Sequence, residues 1–172
     1  VHFLCFYNFC SLSCININKF KKMKPLIVLI VSFLVSLFVL RIINKEYNIA
    51  LAARISMSIM LVFTALGHFL FSKGMTLMIP DIIPFKLFLV YGTGVLEVLL
   101  AIGLHIEKYK DFTAWSIIIF LIMMLPANIK ASILELNYQT GEYNGKGLAY
   151  LWFRIPLQVL FIVWTYLSAI RF

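Results

Sequence analysis

Five stretches of about 20 residues, each almost free of charge, follow one another through this chain of 172 residues, and that run pattern constrains it more than any motif. The stretches are Pro25 to Ile43, about Ala50 to Phe71, about Phe85 to Leu104, about Phe112 to Lys130 and about Tyr150 to Ile170. Each is long enough to cross the hydrocarbon core of a bilayer as a helix. Hydrophobic residues make up 63% of the chain and charged residues 13%, whereas soluble domains carry about 45–50% and about 25%. One core of this size cannot hide that excess without leaving a large apolar surface, so lipid is its natural solvent. The expected fold is all-α: a polytopic transmembrane four-helix bundle over residues 49–172, with one additional N-terminal transmembrane helix and its link over residues 23–48.

The net charge of +8 does not point to nucleic acid. Lys and Arg sit mostly at the ends of the apolar runs, where their stems snorkel and their charges reach the interface. With the N-terminus inside, the inner loops hold more of them than the outer loops, a bias that favours a cytoplasmic N-terminus. Arg54, Lys108, Lys110 and Arg171 read as interfacial anchors, and His105 as a loop residue on the opposite side from His68. The bilayer is therefore the expected partner, with a membrane or redox protein as a further candidate. Residue usage rich in Ile, Lys, Asn and Phe suggests a bacterial inner membrane.

Residues 1–22 stand apart. They lack clear periodicity and hold all three cysteines (Cys5, Cys10 and Cys14) without a C-x-x-C pair, which argues against a quinone-coupled thiol oxidoreductase. Met23 directly precedes the first apolar run, so the upstream stretch reads as a non-native or disordered extension, the alternative being a cysteine-bearing cytoplasmic tail. No A-x-A-like site follows the first run, so it reads as an uncleaved anchor rather than a signal peptide.

The polar residues of the runs converge on the face where the second run ends. His68 lies one turn from that end. Glu97 lies about 16 Å into the third helix at 1.5 Å per residue. Asn128 and Lys130 close the fourth run, and Arg154 and Gln158 open the fifth. Ser58, Ala65 and His68 share one helical face; Gly94, Glu97 and Ala101 share another. A charge in hydrocarbon costs kilocalories unless it is paired or wet. Glu97 should therefore face inwards, with Arg154 as its ion-pair partner and Gln158 and His68 as neighbours. His68, Glu97, Asn128, Arg154 and Gln158 form the candidate ligand-binding set; no catalytic residue can be named. A buried Glu–Arg–Gln network that only fixes helix register is the competing reading.

The prolines are read as structural. Pro80 and Pro84, in the link from Ser72 to Pro84, suggest a short interfacial segment. Pro126 and Pro156 each remove a ladder donor and free carbonyls that lipid cannot satisfy. Haem is disfavoured because His68 and His105 lie towards opposite faces, and no H-E-x-x-H or phosphate loop is present, so no metal is expected. Gly92-Thr93-Gly94 lies inside an apolar helix and is not a nucleotide fingerprint.

The order of G-H-F at 67–69, I-P-D-I-I-P at 79–84, G-x-L-E at Gly94 to Glu97, L-P-A-N at 125–128 and R-I-P-L-Q at 154–158 resembles the DoxX-like membrane family. The resemblance covers about residues 50–172. It implies a four-helix membrane bundle and, for some members, association with redox systems, including a thiosulfate:quinone oxidoreductase subunit. The expected function is thus a membrane subunit of a redox system with a quinone or lipid pocket formed by Glu97, Arg154, Gln158 and His68. A non-enzymatic assembly factor or scaffold and a small proton-coupled transporter with Glu97 as proton carrier are the alternatives.

Overall fold

The computed structural model describes residues 24–45, 47–145 and 147–171. The expectations about residues 1–22, including the cysteines, lie outside the described residues. All five apolar runs are helical: α1 (Lys24–Asn44), α2 (Ile49–Leu70), a short α3 (Ser72–Met78), α4 (Lys86–Gly103), α5 (Lys110–Met123), α6 (Leu125–Ile133) and α7 (Leu148–Thr165). No strand occurs among the described residues; the only β feature is an isolated bridge between Asn137 and Glu142. Five helical stretches are long and apolar enough to cross a membrane, with α5 and α6 together making one of them, Glu107–Ile133.

Buried apolar side chains from all five stretches meet in one core: Leu29 of α1, Met57 and Leu61 of α2, Leu100 of α4, Ile117 of α5 and Phe161 of α7. α2 is the hub, packing against α1, α4, α7 and the segment after α7. Half of α2's most apolar window is buried, against 17% for α1. The outward side chains are large and apolar, among them Phe38, Phe88 and Trp152. That surface suits hydrocarbon and would aggregate in water.

The fourth run differs from expectation. It starts two residues earlier, ends three later, and breaks at Met124. Pro126 sits in the first turn of α6, where its missing N–H leaves no extra orphan, so the chain stops one helix and starts another there. The fifth run also changes character, passing from α7 into a π-helical turn, Tyr166–Arg171. The Thr165 and Ser168 hydroxyls donate to the carbonyls of Phe161 and Thr165 at this junction, competing with the regular ladder.

The link holding Pro80 and Pro84 forms the short α3 and then a turn. Here α3 is packed under the loop that follows α6. Met78 meets Ala131 and Leu136, and the Phe71 and Tyr138 rings meet edge-on at 6.2 Å. A Cβ on Gly74 would lie 2.0 Å from the Tyr138 carbonyl oxygen, so only glycine allows this approach. Lys130 donates to the Ile79 carbonyl at 2.7 Å and reaches Asp81 at 3.3 Å. Lys86 also pairs with Asp81. The two ammonium groups hold the Asp81 carboxyl below the usual aspartate range.

Candidate functional site: two polar seams

The five residues expected in one pocket fall into two groups. His68, near the end of α2, faces Glu97 of α4, with Nε2 3.6 Å from Oε1. Thr93, one turn before Glu97, contacts His68 Nδ1 at 3.1 Å. Gly94 makes this closeness possible: a Cβ there would stand 3.0 Å from the His68 Cβ. Glu97 is 5% exposed, and its Oε2 is enclosed without a hydrogen-bond partner among the described residues.

Proton counting constrains this group. Thr93 Oγ1 has one hydrogen and two acceptors within reach, the Val90 carbonyl at 2.9 Å and His68 Nδ1 at 3.1 Å, so the imidazole tautomer decides which of them it serves. His68 Nε2 then faces a carboxylate oxygen, and two lone pairs would oppose each other unless a proton lies between them. A hydrogen on Nε2 or on the carboxyl would lie between the two groups, which stand 3.6 Å apart.

The second group lies between α7 and the α5–α6 pair. Arg154 Nε donates to Asn128 Oδ1 at 3.3 Å, and Gln158 Nε2 donates to the Leu121 carbonyl, just before the helix break. Gln158 Oε1 is buried without a partner among the described residues. The expected ion pair between Glu97 and Arg154 is not formed; Glu97 takes His68 instead. The reason lies in which helices pack together. α4 lies chiefly along α2, whereas α7 lies against α6 and α5. The pocket expected across Glu97, His68, Arg154 and Gln158 is thus divided between two helix pairs.

Sequence reasoning missed a third cluster, at the opposite end of the α2–α4 seam. Arg54, read as an interfacial anchor, is 91% buried by its 9% exposure and pairs with Glu107 at 3.0 Å. Lys110 stands 3.9 Å from the same carboxylate. His105, read as a plain loop residue, lies 3.0 Å from Ser58 Oγ, which donates to the Ala101 carbonyl at 3.0 Å. Burial and then the Arg54 guanidinium hold the His105 imidazole below its usual value. One signal was available: Arg54 lies exactly one turn, four residues, before Ser58 on the same face of α2.

The fold and these seams define an all-helical chain of membrane type whose costly polar groups are gathered between helices. Residues 57–169 match the model of a family described as a domain of unknown function, DUF8561, and the chain belongs to that family. No curated protein and no solved structure matches it. The family match corrects the DoxX-like resemblance. The motifs behind that resemblance are short, and proline breaks and polar residues near helix ends recur in membrane helices of many kinds.

Proposed function

We propose that this chain is a proton-translocating membrane protein, in which α2, α4, the α5–α6 pair and α7 form a four-helix bundle, α1 is appended to it, and His68 and Glu97 carry the exchangeable proton. The observation that carries the reading is the enclosed Glu97 carboxyl, bound to His68 through one oxygen and unpartnered at the other. An acid at that depth is expensive to keep charged, and intramembrane acids beside histidines are the usual elements of proton relays. In this reading a proton passes between Nε2 and Oε1, and Oε2 is the oxygen open to exchange with a second donor. The break between α5 and α6 supports the same reading, since discontinuous helices recur in transporters. Lys and Arg placement favours a cytoplasmic membrane with the N-terminus inside. The quinone and redox-subunit expectation came with the resemblance, and nothing else in the chain supports it.

The test is proton flux in proteoliposomes under an imposed pH gradient, with membrane potential clamped. The wild type is expected to dissipate the gradient, and Glu97→Gln to slow it by roughly 10²-fold, the scale of losing one positioned acid–base group. A wild type that moves no protons, or a Glu97→Gln variant with full flux, overturns the proposal. A scaffold for another membrane protein is the second reading, favoured by the Arg154–Asn128 and Gln158–Leu121 contacts, which tie helices together. It expects an unchanged Glu97→Gln phenotype and one stable crosslinked partner.

A further inference from the structure

The α2–α4 seam carries polar groups at both ends. Arg54, Ser58, Leu61, Ala65 and His68 recur at helical spacing along one face of α2, over roughly 21 Å. On the α4 side, Thr93, Glu97, the Ala101 carbonyl and His105 run in the opposite order. His68 and Thr93 stand at one end and His105 and Ser58 at the other, with Glu97 between them in the chain order of α4.

Hydrogen placement at the His105 end is set by Ser58. When its only hydrogen points to the Ala101 carbonyl, His105 Nε2 donates to Ser58 Oγ. The neutral ring then carries its proton on Nε2 and leaves Nδ1 able to accept another. His105 lies in the link between two spans and is exposed, so its Nδ1 is placed to meet protons at that face. The charged group that acts on it is Arg54 of α2, which pairs with Glu107 of the following turn, and Lys110 of α5 approaches the same carboxylate. Arg54 disfavours a lasting cation on the ring, which suits a group that must pass its proton on rather than keep it.

We infer that His105 and Ser58 form the second proton station of the seam, the port opposite to His68. This rests on the proton-translocation reading given above. A proton taken up on Nδ1 is balanced by release of the Nε2 proton to Ser58 Oγ. The Ser58 hydroxyl proton moves inwards in turn, and the ring resets at the aqueous face, where Nε2 takes a proton from water as Nδ1 gives one up to water, so that one proton in all has moved inwards. Glu97 lies one turn, about 6 Å of rise, from Ala101, a gap that one bridging water can close during transfer. Leu61 and Ala65 are each 1% exposed and fill the α2 side between the two stations. Transfer across them is therefore intermittent, which keeps the seam from being an open leak.

The same proteoliposome assay tests the station. His105→Gln keeps a donor for Ser58 but cannot titrate, and should slow flux about tenfold, the low end of what a positioned acid–base group contributes. His105→Ala should slow it likewise and recover when imidazole is added. Ser58→Ala should slow it with no recovery in imidazole, because the next carrier is then missing. If His105→Gln matches the wild type while Glu97→Gln is inactive, the port is overturned and the proposed function stands. If both variants match the wild type, both fall. If His105→Gln does not fold, recovery of His105→Ala in imidazole decides: recovery supports the port, and its absence overturns it.

Discussion

The α2–α4 seam and the contact of α7 with the α5–α6 pair both bury polar side chains in apolar helices, yet they spend them differently. Between α7 and that pair the side chains answer local needs: Gln158 donates to a carbonyl beside the Pro126 break, and Arg154 donates to Asn128. Between α2 and α4 the side chains answer each other, His68 against Glu97 and Ser58 against His105, while each of the two contacts leaves one enclosed oxygen without a partner among the described residues, on Glu97 and on Gln158. The difference teaches that a polar residue in a membrane span has no fixed meaning. A backbone break nearby supplies a structural use for it, and an intact pair of helices does not.

The largest effect that would break this contrast is expected at Gly94. Gly94→Val places branched bulk where even a Cβ would stand 3.0 Å from His68 and 3.3 Å from Phe69. It should cost about 1–3 kcal/mol by overpacking, read as a lower thermal midpoint in detergent, and should also abolish Glu97-dependent proton flux. A variant with wild-type stability and flux would mean that the seam is not tightly packed.

Gln158 sharpens the contrast from the other side. Gln158→Ala strips the Leu121 carbonyl of its donor and should cost about 1 kcal/mol, in line with interhelical hydrogen bonds in membranes. Its flux should match the wild type once the amount of folded protein is equalised. A selective loss of flux without a loss of stability would join the two groups into one site.

The smallest effect concerns Asp81, outside both seams. Its carboxyl is held below the usual range by Lys86 and Lys130, so the folded state favours the ionised form. The clamp is complete above the ordinary aspartate value of about 3.9 and is lost as pH falls through the lower folded value. Because Asp81 is exposed, the expected outcome is local: Asp81→Asn should speed amide exchange over residues 79–86 and leave the rest unchanged. Exchange that rises along α2 and α4 as well would show that the clamp supports the seam.

Much of the fold was legible because apolar length is a local property. Twenty uncharged residues near Leu34 or Ile118 are helical for the same reason wherever they pack: lipid leaves no other way to satisfy the backbone. Pro126 also announced its break, though not that a second helix would resume behind it. The partner of Glu97 was not legible. Arg154 and His68 lie on the same side in sequence order, and a charge rule alone prefers Arg154. The partners of Arg54 and His105, Glu107 and Ser58, were not legible because each residue, taken singly, has the place of an interfacial or loop residue.

The sequence by itself thus determined the five membrane-length helices, their order and the burial of Glu97, since hydropathy and the cost of a charge in hydrocarbon act residue by residue. Only the tertiary structure decided that Glu97 meets His68, that Arg154 turns to Asn128, and that His105 reaches Ser58. Those pairings depend on which helices lie side by side and at what rotation. The close approach that Gly94 permits between α2 and α4 is a property of two helices together, and no single run carries it.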